Sequence, residues 1–149
     1  MRTQHAVFLR PIDMSMTLNL CNQVEEISRL ADFLEELGRE MNLPRAILHS
    51  LNLALEEAIA NVIFYAYPRD ERHEICLNAE RVGDMLCFRL VDSGQAFDPT
   101  QIPPPDITLP AEERPIGGLG IFMMRQIMDQ VEYSRVDGLN VLIMKKKVE

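Results

Sequence analysis

Apolar and polar residues follow first a strand period and then a helix period in the first half of the chain. From Met14 to Leu20 they alternate, which is typical of a half-buried strand. Apolar residues then recur at helical spacing in a helix that is predicted to end at about Met41. A second helix is predicted to begin near Pro44 and to end before Pro68. The stretch Asn22-Gln-Val-Glu25 predicts a capping box at the start of the first helix, with its asparagine as N-cap.

The next segment predicts a β-hairpin with its turn at Val82-Gly83. In that register the residues paired on one face are apolar: Ile75 with Leu90, Leu77 with Phe88, and Ala79 with Leu86. The opposite face is mixed, and its pairs are Cys76 with Arg89 and Asn78 with Cys87, so no disulfide is predicted. One apolar and one mixed face are typical of an antiparallel sheet that helices cover on one side only.

The last third of the chain predicts a long connection, one helix and two strands. Residues 99–115 contain six of the nine prolines and little periodicity. Such a segment inside a compact domain is usually functional or mobile, and we expect it to form a mobile lid. A helix is predicted from about Ile121 to Met128, with strands near Val131–Val136 and Asn140–Lys147.

Length, charge and cysteine content narrow the class of protein. A chain of 149 residues predicts one domain, here residues 14–149 after an N-terminal arm or edge strand of residues 1–13. The net charge of -8 argues against a nucleic-acid partner. Three cysteines without a CxxC pair indicate reduced thiols rather than disulfides or zinc. The sequence suggests neither a signal peptide nor a membrane span, and we expect a cytoplasmic protein that does not bind membranes.

Two polar residues one helical turn apart, Glu57 and Asn61, interrupt the apolar run of the second helix. Either they satisfy each other inside the core, or they face a pocket that contains a ligand. In the second case the Asn61 carbonyl oxygen is a hard ligand suited to Mg²⁺. Glu57 could then act as a general base toward a hydroxyl or a water. Glu56 lies about 100° round the helix from Glu57, and we expect it to be solvated.

Two further motifs are each compatible with a ligand site or with ordinary structure. Asp92-Ser-Gly94, at the end of a predicted strand, is either a common turn or a site where Asp92 accepts from a ligand amine and Gly94 lets the ligand approach the backbone. Gly117-Gly-Leu-Gly120 opens a helix but matches neither a P-loop nor a dinucleotide fingerprint. It is either an anion site of backbone N–H groups or a flexible loop before a helix.

In this order, the motifs resemble the ATP-binding GHKL superfamily, and more closely the bacterial anti-sigma-factor serine kinases. The segments that carry the resemblance are Glu57-Ala-Ile-Ala-Asn61, Tyr65-Ala-Tyr67, Asp92-Ser-Gly94, Phe97-Asp-Pro99 and Gly118-Leu-Gly-Ile-Phe-Met-Met. Met128-Asp-Gln-Val-Glu-Tyr133 and the ending Gly138-Leu-Asn-Val-Leu-Ile-Met-Lys145 extend it over roughly residues 14–147. The resemblance implies an α+β two-layer sandwich of the GHKL (Bergerat) type, a mixed and mostly antiparallel sheet with helices on one face.

The resemblance also implies roles for individual residues. Glu57 would be the catalytic base, Asn61 the Mg²⁺ ligand, and Asp92 the carboxylate that reads adenine. The other residues implied to contact the nucleotide are Gly94, Phe97, Arg114, Gly117, Gly118, Leu119, Gly120, Ile121 and Asn140. Arg29 lies near a position where relatives use an arginine to touch partner proteins.

The implied function is Mg-ATP-dependent phosphorylation of a serine on a small anti-sigma antagonist protein, coupled to holding or releasing a sigma factor. Relatives commonly dimerise, so a homodimer is compatible with this function. One alternative is a non-catalytic regulator in which ATP orders the lid and so changes partner affinity. Another is a detached histidine-kinase catalytic domain, which is disfavoured because His5, His49 and His73 offer no acceptor helix.

Overall fold

The computed structural model describes residues 14–103, 106, 108–110, 112 and 118–148. Its five strands are β1 (Met14–Cys21), β2 (Glu74–Val82), β3 (Met85–Asp92), β4 (Gln130–Val136) and β5 (Leu139–Lys147). Its helices are α1 (Ser28–Met41), α2 (Arg45–Tyr65) and α3 (Gly118–Ile127). The strands form one sheet in the order β1-β2-β3-β5-β4, and every described pair is antiparallel. The predicted α+β two-layer sandwich is confirmed, while the predicted arm of residues 1–13 lies outside the described residues.

The hydrophobic core lies between one face of this sheet and the three helices. Strand residues two apart, such as Ile75, Leu77 and Ala79, are fully buried, as the period-two pattern predicts. Helix α2 supplies the largest helical share of the core, with six buried apolar residues along its length. It is long and apolar enough for a membrane span by length and composition alone, but its buried residues belong to the core of the domain. The sequence pattern therefore places α2 directly beneath the sheet.

The hairpin of β2 and β3 forms, but its predicted register is wrong. Leu77 pairs with Leu90 and Ala79 with Phe88, because the turn lies at residues 83–84 rather than 82–83. Gly83 there has a φ of 64°, a left-handed conformation that glycine adopts without strain. Moving the turn by one residue moves each partner by two, so every side chain keeps its predicted face.

The cysteines on this hairpin also have partners other than those predicted. Cys76 pairs with Val91 and Cys87 with Glu80. Both thiols are free, as is that of Cys21, which agrees with the prediction of no disulfide. Burial raises the pKa of both the Cys76 and the Cys87 thiol above its ordinary value, so these two groups are weak nucleophiles.

The predicted capping box is wrong. A 3₁₀ turn at Val24–Ile27 precedes α1, and no side chain caps either element. Asn22 instead joins β1 to the connection before β2: its Oδ1 accepts from the His73 backbone N–H at 2.7 Å, and its Nδ2 donates to the Glu71 carbonyl at 2.9 Å. The asparagine side chain is 8% exposed, and this long-range pairing satisfies it instead of a helix end.

Helix α3 begins earlier than predicted, at Gly118 rather than near Ile121. The last three residues of the Gly117–Gly120 motif therefore form its first turn. The preceding segment begins with a 3₁₀ turn at Pro99–Gln101, capped by Asp98, whose carboxylate accepts from the Thr100 N–H at 2.9 Å. Much of the rest of the expected lid lies outside the described residues, so its mobility stays a prediction.

Candidate functional site

A cleft of about 430 Å³, including its open mouth, lies between α2, α3 and the ends of β3 and β5. Four of the residues expected to contact a nucleotide line it: Asn61, Asp92, Phe97 and Asn140. Its remaining walls are mostly apolar and come from both helices and from β3, β4 and β5. A largely apolar cleft with a few polar groups is the usual form of a small-molecule site.

Asp92 is the last residue of β3, and its carboxylate is held firmly in the wall of the cleft. The residue is 5% exposed. Its Oδ1 accepts from the Gly94 N–H at 2.9 Å and from Asn140 Nδ2 at 2.9 Å. The second carboxylate oxygen has no hydrogen bond to any described residue, and it remains an acceptor for a donor that enters the cleft.

Asn140 lies opposite Asp92 on the neighbouring strand β5, and all of its hydrogen-bonding groups are used. Its Nδ2 donates to Asp92 and to the Gln95 carbonyl, both at 2.9 Å. Its Oδ1 accepts from the Tyr133 hydroxyl at 2.5 Å and from Arg135 Nη1 at 3.1 Å. Asn140 therefore lies beside the cleft as expected, but its amide orients Asp92 and has no group left for a ligand.

The turn that follows Asp92 is fixed by hydrogen bonds on both sides. The Ser93 N–H donates to the Tyr67 hydroxyl at 2.7 Å, and the Gln95 N–H donates to the Ala66 carbonyl at 2.9 Å. The Gly94 carbonyl accepts from Arg135 Nη1 at 2.8 Å. The end of α2 and strand β4 thus hold the Asp92 carboxylate in place from opposite sides.

Asn61 lies near the end of α2, and its amide has no hydrogen-bond partner among the described residues. The residue is 8% exposed and lines the cleft. No side-chain N or O atom in the described part of the chain is both buried and without a partner, so the Asn61 amide is accessible from the cleft. It makes no hydrogen bond to Glu57, which excludes the alternative in which these two residues satisfy each other inside the core. The arrangement favours a ligand in the cleft that interacts with the free amide group of Asn61.

Glu57, one turn before Asn61 on the same helix, is half-buried and faces the start of α3. Its carboxylate lies directly against Gly120, because a Cβ added to that glycine would overlap Glu57 Oε1. The Glu57–Asn61 motif and the Gly117–Gly120 motif are therefore in contact at this point. Glu56 is half-buried as well, so its expected full solvation is not observed.

Several other predicted residues lie near the cleft without lining it. Gly94 packs against the end of α2, where a Cβ would collide with the Ala66 backbone, so close packing rather than a ligand accounts for the glycine. Ile121 is 2% exposed and belongs to the core, whereas Leu119 is 53% exposed. Gly118 opens α3. The predicted contacts Arg114 and Gly117 lie outside the described residues.

Arg29, expected to touch a partner protein, lies on a separate surface groove that shares no residue with the cleft. Its Nη1 donates to the Asn19 carbonyl and to Glu26 Oε1, both at 2.9 Å. The Cys21 backbone N–H, and then Arg29, hold the pKa of Glu26 below its ordinary value. The guanidinium is exposed and remains accessible to another molecule.

Sequence reasoning missed three residues of the site. Tyr133 and Met124 line the cleft, and Arg135 holds both Asn140 and Gly94. Tyr133 and Arg135 are two apart on β4, so they lie on the same face of the strand as Asn140. The spacing of two residues between Tyr133 and Arg135 is visible in the sequence. It places them beside Asn140 only once the pairing of β4 with β5 is known.

Two side chains with rotatable bonds form part of the cleft wall. They are the aromatic ring of Phe97, stacked on Tyr65 at a centroid distance of 6.0 Å, and the flexible side chain of Met124. Side chains of this kind can change rotamer and so alter the width of the cleft.

Comparison with known proteins finds matches over most of the chain. The chain matches the family model described as the histidine kinase-like ATPase domain over residues 20–146. Serine-protein kinase RsbW of Listeria monocytogenes is 30% identical over 134 residues, which cover 87% of this chain and 85% of that protein. Serine-protein kinase RsbW of Bacillus cereus is 29% identical over 102 residues, or 66% of this chain and 63% of that one.

Solved structures share the fold. The RsbU and RsbW domains of Rv1364c from Mycobacterium tuberculosis superpose with a TM-score of 0.65 and 14% identity, over 91% of this chain and 32% of that longer chain. A chain of the SiaB–SiaC complex from Pseudomonas aeruginosa superposes with a TM-score of 0.54 and 11% identity, over 99% of this chain and 96% of that one. At such identities the likeness is one of fold.

Proposed function

The chain belongs to the histidine kinase-like ATPase family, and from this membership we propose that it binds Mg-ATP in the cleft and phosphorylates a serine of another protein. Relatives that are named serine-protein kinases and match most of the chain support the choice of acceptor. The observation that carries the proposal is the pair of groups left open in the cleft. Asp92 offers one free carboxylate oxygen and Asn61 an unpartnered amide, and both line the same space.

The Asp92 carboxylate would select adenine. Its free oxygen accepts a hydrogen bond from the exocyclic amine of adenine, whereas the carbonyl oxygen that guanine carries at that position would be repelled. Apolar cleft residues such as Leu142 and Val62 would contact the faces of the ring. The hydrogen bonds to Asp92 Oδ1 hold the acceptor in position before the nucleotide arrives.

The residues present fit a single magnesium ion held mainly by the nucleotide. The described residues contain no cluster of three or more His, Cys, Asp or Glu side chains that could hold a metal. Mg²⁺ keeps several waters and takes few protein ligands together with substrate phosphates, so one amide oxygen at Asn61 is a sufficient contribution. Bound there, the ion would neutralise charge that builds on the phosphates during transfer.

Glu57 would act as the general base. Its carboxylate accepts the proton of the serine hydroxyl while the serine oxygen forms a bond to the terminal phosphorus. The bond from that phosphorus to the bridging oxygen breaks, and ADP leaves with the bonding electrons. The first backbone N–H groups of α3, at Gly118, Leu119 and Gly120, have no partner within the helix and would donate to phosphate oxygens.

The acceptor is proposed to be a small anti-sigma antagonist protein, with a sigma factor as a second partner. Incubation of the protein with ATP labelled on its terminal phosphate, Mg²⁺ and candidate antagonist proteins tests this function. Label on serine of a candidate is the expected result. Label on histidine would indicate a detached histidine-kinase domain, and tight ATP binding without transfer would indicate a non-catalytic regulator.

A further inference from the structure

Three strands contribute one row of polar side chains beside the cleft. Asp92 on β3 pairs with Asn140 on β5, and Asn140 pairs with Arg135 on β4. Residues paired across an antiparallel sheet point to the same face, so the three side chains lie side by side. Arg135 Nη1 bonds to Asn140 Oδ1, and Asn140 Nδ2 bonds to Asp92 Oδ1, which joins the row into one chain of hydrogen bonds.

The two ends of the Asn140 amide cannot be exchanged in this environment. A guanidinium only donates, so the group that faces Arg135 must be the amide oxygen. A backbone carbonyl only accepts, so the group that faces the Gln95 carbonyl must be the amide nitrogen. The Tyr133 hydroxyl, at 2.5 Å from Oδ1, adds a second donor on the same side. The amide is therefore fixed with its N–H toward Asp92.

This orientation decides what the Asp92 carboxylate can accept. With an N–H held on Oδ1, the carboxylate remains an acceptor, and its free oxygen faces the cleft. A reversed amide would present its own oxygen to Asp92, and the two acceptors would repel each other. The Asp92 carboxylate would then turn away from the amide, and this change removes the penalty that a guanine carbonyl meets.

From this geometry we infer that Arg135 is a positioning residue that sets the preference of the site for adenine over guanine, although it lies outside the cleft lining. The inference rests on the proposed function, since it concerns the nucleotide that Asp92 reads. Arg135 acts through Asn140 and also holds the Gly94 carbonyl at 2.8 Å, so it constrains both the carboxylate and the turn behind it. Tyr133 supports the same amide as a second donor.

The test compares dissociation constants for ATP and GTP, each with Mg²⁺, by calorimetry on the full chain. The variants are Arg135→Ala and Tyr133→Phe, and Arg135→Gln serves if the alanine variant does not fold. The matched control is Arg89→Ala, an exposed arginine on the opposite face of the sheet. Melting temperatures of all variants separate a loss of fold from a loss of selectivity.

The parental protein should prefer ATP, so its dissociation constant for GTP divided by that for ATP should exceed one. Arg135→Ala should lower this ratio by about 3- to 10-fold, the effect of one hydrogen bond. Tyr133→Phe should lower it less, because Arg135 remains, and Arg89→Ala should leave it unchanged. An unchanged ratio in Arg135→Ala, or an equal loss of affinity for both nucleotides, would overturn the positioning role while leaving ATP binding intact. A parental protein that does not bind ATP would overturn the proposed function and this inference together.

Discussion

Glu57 and Gly120 are in direct contact across the boundary between α2 and α3. A Cβ at position 120 would overlap Glu57 Oε1 and would lie 2.7 Å from Cδ and 3.3 Å from Cγ. The glycine is required here by the space that the carboxylate occupies. Because the obstructing atoms are the end of a flexible side chain, a larger residue at position 120 would displace the carboxylate rather than disrupt the backbone.

Replacing Gly120 by alanine should therefore separate activity from stability. The methyl group pushes the Glu57 carboxylate out of position, and phosphotransfer should fall by about 10²–10⁴-fold, the usual contribution of a positioned base. The free energy of unfolding should stay the same or rise by up to about 1 kcal/mol, because alanine is a better helix former than glycine. Chemical denaturation and a transfer assay on the same preparation measure both quantities.

Gly94→Ala is the matched control for that change. Its added methyl group meets the backbone carbonyl and the Cβ of Ala66, which cannot move independently of α2. We expect a loss of about 1–3 kcal/mol in the free energy of unfolding, the scale of overpacking in a core. If Gly120→Ala were destabilised as much as Gly94→Ala and lost no activity beyond that, the contact with Glu57 would have only a structural role.

The role of Glu57 as general base is tested by Glu57→Gln, with Glu56→Gln as control. Both glutamates are half-buried and adjacent on α2, so the two changes remove one charge each from similar surroundings. Glu57→Gln should retain ATP affinity and melting temperature but lose about 10²–10⁴-fold in transfer rate. Glu56→Gln should retain all three quantities. Parental transfer by the Glu57→Gln protein would remove this residue from the mechanism.

The sequence pattern predicted the layers of the fold because apolar periodicity depends on which residues face the core. Strand β1 and helix α2 were placed to within a residue or two for that reason. The β2–β3 register was missed, since shifting a pair by two residues leaves both faces unchanged and the apolar pattern cannot distinguish the two registers. The preference of Gly83 for a left-handed turn position decided the outcome.

The sequence predicted those site residues whose type and local motif are informative by themselves. It did not predict residues whose contacts depend on segments that are far apart in the chain. Asn61 was identified by the apolar run that it interrupts and Asp92 by the Asp-Ser-Gly motif at the end of a strand, and both line the cleft. The capping box predicted at Asn22 does not form, because the Asn22 side chain binds the His73 backbone instead of a helix N–H. His73 is distant in sequence but adjacent in the fold. Arg135 was overlooked for the same reason, since it meets Asn140 only across a strand pair.

Changing the chemistry of Asp92 without changing its shape should reverse the preferred base. Asp92→Asn keeps an oxygen for the N–H groups of Gly94 and Asn140 and presents an NH₂ group to the cleft. That donor suits the carbonyl of guanine and opposes the amine of adenine. ATP affinity should fall by about 1.5–3 kcal/mol, the value of a hydrogen bond to a charged group, while GTP affinity rises. Calorimetry with both nucleotides measures this, and unaltered selectivity would exclude contact between Asp92 and the base.

Asn61 and Asn22 offer a comparison between two asparagines that are equally buried, each 8% exposed. Asn22 has a hydrogen-bond partner for each end of its amide, whereas Asn61 has none among the described residues. Asn22→Ala should lower the free energy of unfolding by about 1–3 kcal/mol, because it removes two part-buried hydrogen bonds, to the Glu71 carbonyl and from the His73 N–H. Asn61→Ala should leave it unchanged, because the Asn61 amide is accessible from the cleft and makes no hydrogen bond to the described residues that could be lost.

The same Asn61→Ala protein should lose the dependence of nucleotide binding on magnesium. In the parental protein, ATP should bind more tightly with Mg²⁺ than with a chelator, because the Asn61 oxygen would help to hold an ion that accompanies the nucleotide. Without that oxygen the two affinities should converge, while Asn22→Ala, corrected for its lower stability, should keep the difference. Melting curves and calorimetry with Mg²⁺ or a chelator give both quantities for both variants. An Asn61→Ala protein that is destabilised like Asn22→Ala, and still binds ATP in a magnesium-dependent way, would mean that this asparagine serves the core rather than a metal.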